Sequence, residues 1–311
     1  MTGQSSHGRF LDSRGEIYRG FLDAHVHLAL IDPAQLMAGG IARVIDLGGW
    51  LPDGPRDDMP DTAYAHQFVT APGGYPSRTG WAEPGWCCAV DDVGSAAAGP
   101  AEAAAAIDRQ VAAGASVLKV TLNALAGPVL SAETLAAVVA QAHARGLPVV
   151  AHAEGAGQAD RAFAAGVDAF AHTPFSERLA DDLVTAMAAR MTWISTLDMH
   201  GWGSPTDGFD IASDNLRRFH AAGGRILYGT DLGNGPLPVG VNSREIAALQ
   251  DAGLKPADVL TALCAPAPLG LALSDNRVTF IPGERPRDPT EFADWLCTAR
   301  ALTRPELEVL A

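Results

Sequence analysis

The chain has 311 residues, with 22 Lys and Arg against 36 Asp and Glu, so its formal net charge is −14. This length is enough for one (β/α)₈ barrel, which takes about 250 residues, and the hydrophobic fraction of 48% excludes wholesale disorder. The acidic balance argues against nucleic acid or a membrane as the principal partner, because both attract basic surfaces.

The first residues lack the apolar core of a secretory signal, and no apolar run approaches the roughly 18 residues of a spanning helix. The four cysteines form neither a disulfide framework nor a CxxC metal site, since Cys87 and Cys88 are adjacent and Cys264 and Cys297 are isolated. These features predict a cytoplasmic protein whose partner is a small molecule.

Eight short runs rich in Val, Ile and Leu recur along the chain, and most precede an Ala-rich segment of helical periodicity. The runs are FLDAHVHL (21–28), ARVIDLGG (42–49), AHQFVTAPGG (65–74), SVLKVTLN (116–123), PVVAHAE (148–154), DAFAHTPF (168–175), TWISTLDMH (192–200) and RILYGTDLG (225–233). The helices are clearest at 101–113, 131–145, 177–190 and 213–222. Nearly continuous apolar runs are typical of parallel strands buried on both faces. The pattern therefore predicts an α/β fold, a closed (β/α)₈ TIM barrel rather than a doubly wound open sheet.

The remaining segments predict small additions to the barrel. Residues 9–20 fit a hairpin around Asp12–Gly15, and RVTFIP (277–282) fits a strand beside it. Residues 255–273 read as a helix with Pro256 in its first turn and an end near Gly270. Segments 51–64 and 81–100 have no regular period and are predicted to be loops.

Ionisable residues lie at or near the ends of five of the predicted strands. His25 and His27 are two residues apart on strand one, so both side chains point to the same face. The others are Lys119, His152, His172 and Asp231 on strands four, five, six and eight. Singly, each could be a rim histidine, an ion-pair partner or a helix cap. Together they supply the nitrogen and oxygen donors that zinc and similar divalent ions prefer, and they predict a metal site at the barrel mouth.

This constellation resembles the amidohydrolase superfamily, in particular its imidazolonepropionase-like and prolidase-like branch. The resemblance covers about residues 16–273 and rests on FLDAHVHL, ARVIDLGG, PGGYP, AGASVLKV, LPVVAHAE, GVDAFAHTPF, YGTDLG and PADVLTALCAPAPLGLAL. It implies that His25 and His27 bind the more buried ion and that Lys119, carboxylated by carbon dioxide, bridges both ions. It further implies that His152 and His172 bind the second ion, while Asp231 contacts the first and acts as general acid and base.

The activity that the resemblance implies is binuclear metal-dependent hydrolysis, most simply with two zinc ions. A metal-bridging hydroxide would cleave the amide-type C–N bond of a cyclic amide, an N-acyl amino acid or a dipeptide. A lactonase or other esterase on the same metal centre, and a non-catalytic metal- or metabolite-binding barrel, remain alternatives. A one-metal deaminase is disfavoured because Glu154 stands two residues after His152, where that branch has a spacing of three, and because Lys119 is present.

Two further expectations follow from the resemblance. The chain is expected to have three parts. Residues 1–20 form a hairpin or strand remnant of the family's β-sandwich, residues 21–273 form the hydrolase barrel, and residues 274–311 form a C-terminal strand and tail. Tyr75 replaces the histidine of a family GGHG sequence and is predicted to hydrogen-bond substrate. Arg78 is a candidate partner for a substrate carboxylate, with a surface arginine as the alternative, and His200 either touches substrate or is a structural rim histidine. Trp81, Trp86 and Trp202 are candidates for the pocket wall, with fixing of their loops as the alternative.

Overall fold

The chain alternates parallel strands with helices and carries a small antiparallel sheet made from its two ends. The computed structural model describes residues 9–11, 15–49, 58–92, 99–204 and 206–310. Its strands are β1 (Arg9–Leu11), β2 (Gly15–Arg19), β3 (Phe21–Val26), β4 (Ile41–Asp46), β5 (Asp61–Tyr64), β6 (Phe68–Thr70), β7 (Cys87–Ala89), β8 (Leu118–Asn123), β9 (Val149–Glu154), β10 (Ala169–Phe170), β11 (Thr192–Ile194), β12 (Arg225–Leu227), β13 (Arg277–Pro282) and β14 (Arg300–Thr303). Its helices are α1 (Ala34–Ala38), α2 (Gly99–Ala112), α3 (Ala132–His143), α4 (Gln158–Ala164), α5 (Asp181–Ala188), α6 (Asp207–Ala221), α7 (Ser243–Asp251), α8 (Pro256–Leu263), α9 (Phe292–Leu296) and α10 (Arg304–Leu310).

Two parallel sheets meet along both edges and close into a barrel. One sheet has the order β12-β11-β10-β9-β8-β6-β7 and the other β3-β4-β5. The backbone N–H of Ala24 in β3 donates to Tyr228 O just after β12 (2.9 Å), and that of Ser116 before β8 donates to Tyr64 O in β5 (3.0 Å). The third barrel strand is thus divided between β5, which pairs with β4, and β6, which pairs with β8. The predicted α/β, (β/α)₈ TIM-barrel fold is confirmed.

The barrel interior is filled by a small apolar cluster to which eight strand segments contribute. Its buried members are Leu22, Ala24, Ile45, Leu47, Ala63, Ala65, Val117, Val150, Ala169, Ala171, Ile194, Leu227 and Leu271. Lys119 and His152 stand two residues after Val117 and Val150, so alternation along a strand places them on the same inward faces. These two polar side chains therefore lie one layer above the apolar interior.

Strand β3 departs from regular pairing where it carries the two histidines. Its register with β4 shifts between Asp23 and Val26. Leu22 and Ala24 belong to the interior cluster, and regular alternation would turn His25 to the opposite face. A local irregularity of this kind changes which side chains point inward, and here it lets an apolar interior and a polar site share one strand.

The two ends of the chain form an antiparallel sheet of order β1-β2-β13-β14. The predicted hairpin and its neighbouring strand are confirmed, with Ile17 opposite Phe280, although residues 12–14 of the predicted turn lie outside the described residues. The C-terminal part contains more structure than the predicted strand and tail, because β14, α9 and α10 follow β13. The proposed domain boundaries stay a prediction. No helix in the described ranges combines the length and apolarity needed to cross a bilayer.

Several predicted boundaries are wrong. The third strand predicted at 65–74 is β6 alone, and the loop predicted at 51–64 contains β5. The loop predicted at 81–100 contains β7, while residues 50–57 and 93–98 lie outside the described residues. Three predicted helices also differ: α5 is shorter than 177–190, α6 starts earlier than 213, and α8 ends at Leu263 rather than near Gly270. Pro266 and Pro268 follow α8, and proline disfavours helix continuation.

Candidate metal centre

The six ionisable side chains predicted to share one site lie together at the C-terminal edge of the barrel. They are His25 in β3, His27 just after it, Lys119 in β8, His152 in β9, His172 just after β10, and Asp231 after β12. All six are buried. Parallel strands end at a common edge, and this is why residues far apart in the chain meet there.

Asp231 lies at the centre of the group. Its Oδ1 is 3.0 Å from Nε2 of His25 and 3.2 Å from Nε2 of His27. The Nζ of Lys119 is 3.3 Å from the same His25 nitrogen. One ligand atom from each of His25, His172 and Asp231 lies within 4.8 Å of the other two. The atoms that could bind a cation are therefore already close together.

Hydrogen bonds at the outer ring nitrogens fix the protonation of the first two histidines. Nδ1 of His25 donates to the carbonyl of Ala171 (2.8 Å), and Nδ1 of His27 donates to that of Gly48 (2.9 Å). A carbonyl oxygen only accepts, so each Nδ1 is protonated, and in the neutral ring each Nε2 then carries a lone pair. Both lone pairs face a carboxylate oxygen of Asp231, an arrangement that a cation between them would stabilise.

Protonating His25 is an unfavourable way to supply that cation. Burial, together with the neighbouring Lys119, lowers the pKa of His25 to about 3. Burial acts to raise the pKa of Asp231, but His25 and His27 outweigh it and hold the pKa well below its usual range. Neutral imidazoles around an ionised carboxylate match the ligand preferences of zinc. The residues present therefore fit a divalent metal ion.

Lys119 fits the site as a neutral amine rather than as an ammonium group. Its side chain is almost fully buried, and burial lowers its pKa to about 7, although Asp231 and Asp46 favour the charged form. An ammonium group has no lone pair and cannot bind a metal ion. A neutral amine is nucleophilic and can be modified to an anionic ligand.

Two buried aspartates missed as site residues by the sequence interpretation hold the histidine segment in place. The Asp23 carboxylate accepts from Thr230 Oγ1 (2.6 Å) and from the His25 backbone N–H (3.1 Å). The Asp46 carboxylate accepts from the Leu28 backbone N–H (2.7 Å). Between them they attach the segment to the ends of β12 and β4. The available signal was a carboxylate inside each of the apolar runs FLDAH and RVIDLGG.

The backbone of Asp231 adopts a conformation that is rare for this residue type. Its φ is 60°, in the left-handed region, which costs of order 1 kcal/mol for a residue with a side chain. Its N–H donates to His25 O (2.9 Å), and Asn234 Nδ2 donates to its Oδ2 (2.8 Å). These contacts hold the strained turn and leave Oδ1 directed at the histidines.

A comparison with protein families decides which family the chain represents. The sequence profile of the amidohydrolase family matches residues 17–276, which include the whole barrel. The chain belongs to the amidohydrolase family. The family predicted from the motifs is thus confirmed. Among curated protein sequences no match is found.

Solved structures with the same barrel include two whose names describe hydrolases. An Xaa-Pro dipeptidase with bound methionine in its active site is 19% identical, with a TM-score of 0.67, and the match covers 92% of this chain and 85% of that chain. The ochratoxinase of A. niger is 18% identical, with a TM-score of 0.68 and coverages of 90% and 80%. At 18–19% sequence identity, this structural similarity establishes the fold alone. Family membership and the buried donor set together make this amidohydrolase a metal-dependent hydrolase.

The metal centre of this amidohydrolase opens into a cavity of about 420 Å³. The cavity is lined by His27, Leu30, Phe68, Tyr75, Trp81, Lys119, Thr121, His152, Glu154, His172, Phe175, Met199, Asp231, Gly233, Asn234 and Gly235. One side is aromatic, because the Trp81 ring lies 5.9 Å from Phe68, 6.0 Å from Tyr75 and 6.4 Å from His27. A volume of this size holds a small molecule.

The three predicted substrate contacts have different positions. Tyr75 lines the cavity and stacks on His152, with ring centroids 5.1 Å apart. Arg78 is exposed with its guanidinium against Gly73, outside the cavity lining, so the structure does not support its predicted contact with substrate. His200 stands behind the wall, 4.2 Å from the Phe175 ring, and burial lowers its pKa to about 4. Of the three candidate tryptophans, Trp81 lines the cavity.

Proposed function

We propose that this amidohydrolase is a binuclear metal-dependent hydrolase that cleaves an amide-type C–N bond in a small molecule. The donor set is His25, His27, Lys119, His152, His172 and Asp231. The observation that carries the proposal is the approach of two imidazole lone pairs to one carboxylate oxygen at 3.0 and 3.2 Å, beside a buried lysine and at the base of a cavity. Zinc is the metal that best suits these donors.

Lys119 would join the donor set after reacting with carbon dioxide. Its neutral Nζ would attack the carbon of CO₂, so that an N–C bond forms while one C=O π bond breaks and its electron pair moves to oxygen. The nitrogen then loses a proton to solvent water, and the product is a carbamate with one negative charge. The carbamate has two oxygens and can bind two cations, which the amine cannot. Divalent ions held there supply Lewis acidity, lowering the pKa of water and polarising the carbonyl of the substrate.

Asp231 would move the proton that hydrolysis requires. Asn234 holds its Oδ2 at 2.8 Å, and its Oδ1 faces the histidines. The carboxylate would accept a proton from the attacking water as a C–O bond forms at the carbonyl carbon. It would return that proton to nitrogen as the C–N bond breaks, so that the products are a carboxylic acid and a neutral amine. One residue thereby serves first as base and then as acid.

The cavity wall favours an apolar group on the substrate. Leu30, Met199 and Phe175 line the cavity together with the aromatic side formed by Phe68, Tyr75 and Trp81. A dipeptide, an N-acyl amino acid or a cyclic amide that carries an aromatic or branched apolar substituent would bury that substituent against these residues.

Metal content tests the proposed function directly. Protein reconstituted with Zn²⁺ and then desalted is expected to contain two ions per chain by elemental analysis. Removing them with a chelator is expected to abolish turnover of a panel of dipeptides, N-acyl amino acids and cyclic amides, and reloading is expected to restore it. One ion or none after reconstitution would contradict the binuclear centre. Lactones hydrolysed in preference to every amide would contradict the C–N assignment.

Trp81 tests the proposed apolar contact. Truncating it to alanine removes about 1–2 kcal/mol of aromatic burial, so we expect KM for an aromatic substrate to rise about tenfold with a smaller change in kcat. Trp81→Phe keeps an aromatic wall and is expected to remain within about threefold of the parent. Steady-state kinetics on paired substrates with benzyl and methyl substituents measure the effect. An equal loss on both substrates would argue against a specific aromatic contact.

A further inference from the structure

Glu154 is a cavity residue to which the proposed mechanism gives no role. It follows His152 by two residues on β9, so both side chains lie on the same face of the strand. Its Oε2 accepts from Nε2 of His152 (2.9 Å) and from Nδ2 of Asn123 (2.6 Å). Asn123 is directly opposite Glu154 in the register between β8 and β9. The carboxylate therefore connects the sheet to an imidazole of the metal centre.

The direction of these hydrogen bonds follows from Asn123. Its Oδ1 accepts from the backbone N–H groups of Leu125 and Ala126, both at 3.0 Å, so its Nδ2 is the atom turned toward Glu154. A carboxylate only accepts, so Nε2 of His152 must donate and carry the ring proton. In the neutral ring the lone pair of His152 is then on Nδ1.

This protonation is the reverse of that of the first two histidines. In His25 and His27 a backbone carbonyl holds the proton on Nδ1 and leaves Nε2 free. His152 has a side-chain carboxylate in place of the carbonyl and presents the opposite nitrogen. The stacked ring of Tyr75 restrains the face of the same imidazole. Contacts within the chain therefore fix the orientation of the His152 ring and the position of its Nε2 proton.

We infer that Glu154 is a positioning residue that holds His152 in the tautomer with a free Nδ1, the atom with which it binds the second metal ion. The inference rests on the proposed function for the presence of that ion. A carboxylate that accepts from a metal-binding histidine fixes the ring and increases its basicity, and losing such a partner typically weakens metal affinity by about 10–100-fold. Glu154 acts through His152 and needs no contact with the substrate.

Metal titration of three variants tests the inference. Glu154→Ala removes the acceptor and is expected to weaken the second Zn²⁺ by about 10–100-fold in competition with a chromophoric chelator, leaving the first ion within about threefold. Glu154→Gln keeps an amide oxygen that can accept from His152, and it is expected to recover most of the affinity. Glu177→Ala is the matched control, because the Glu177 carboxylate accepts from the Gly157 backbone N–H and, among the described residues, bonds to none of the histidines. It is expected to match the parent.

The tautomer provides a readout that requires neither metal nor activity. In metal-free protein with ¹⁵N-labelled histidine, long-range ¹H–¹⁵N correlations are expected to show His152 protonated at Nε2, and Glu154→Ala is expected to lose this preference. Protonation at Nδ1 in the parent would overturn the inference, as would two ions bound equally tightly in Glu154→Ala and the parent. A parent that binds no second ion but keeps the Nε2 proton would instead contradict the proposed function and leave the tautomer assignment standing.

Discussion

Replacing Lys119 with alanine is expected to lower turnover by about 10³-fold or more and to leave fewer than two metal ions bound. The structure supplies the reason, because the amine is almost fully buried and lies 3.3 Å from His25 Nε2. In the proposed centre its carbamate would bring a bridging negative charge to two dications, and losing stabilisation of this kind typically costs several kcal/mol in the barrier. Elemental analysis and steady-state rates on the best substrate of the panel measure the two effects.

The chain offers a well-matched control for this prediction, since it contains just two lysines. Lys255 is exposed at the start of α8, far along the chain from the donor residues. With ¹³C-bicarbonate, the parent and Lys255→Ala should show one carbamate resonance, and Lys119→Ala should show none. Partial rescue of Lys119→Ala by short-chain carboxylic acids is also expected. A carbamate signal absent from the parent would refute the modification, whatever the rates.

The Asp231→Asn substitution is expected to lower kcat by about 10³-fold while two metal ions remain bound. Asparagine keeps the size of the side chain and is among the residues that tolerate the left-handed backbone found here, so the turn after β12 should survive. Its amide oxygen can still approach a cation but cannot accept and return a proton, a role worth about 10²–10⁴-fold.

Metal content and turnover rate must both be measured for the Asp231→Asn variant. Elemental analysis establishes that the Asp231→Asn protein is loaded, and only then does its rate report on proton transfer. A loaded variant with kcat within about tenfold of the parent would remove Asp231 from the proposed chemistry. Loss of both ions would show that its main contribution is to metal binding.

The barrel and the gathering of donors could be predicted because both depend on strand order. Nearly continuous apolar runs identified the parallel strands, and a polar residue at the end of such a strand must lie at one common edge. His25 and His172 are 147 positions apart in the chain, yet their ligand atoms lie within 4.8 Å. No detail of side-chain packing is needed for that conclusion.

Short elements escaped prediction for the opposite reason. Strands β5, β6 and β7 have three or four residues each, too few for a period to be visible. The chain between β5 and β6 passes through His66 with a φ of 65°, which interrupts what would otherwise be one strand. Their pairing with β4 and β8 comes from neighbours that the barrel supplies. The exposed position of Arg78 likewise depends on how its loop folds back on Gly73.

The amino-acid sequence alone determines the family, the barrel and the six proposed metal ligands of this protein, because strand burial and the spacing of polar residues are properties of the linear chain. The tertiary structure decides the rest. It sets which ring nitrogen of His25 and His27 faces inward, since the deciding carbonyls of Ala171 and Gly48 come from other strands or turns. It also places Trp81 in the cavity wall and leaves Arg78 exposed outside the cavity lining. Hydrogen-bond direction and loop packing depend on contacts between distant segments, and these exist only in the folded barrel.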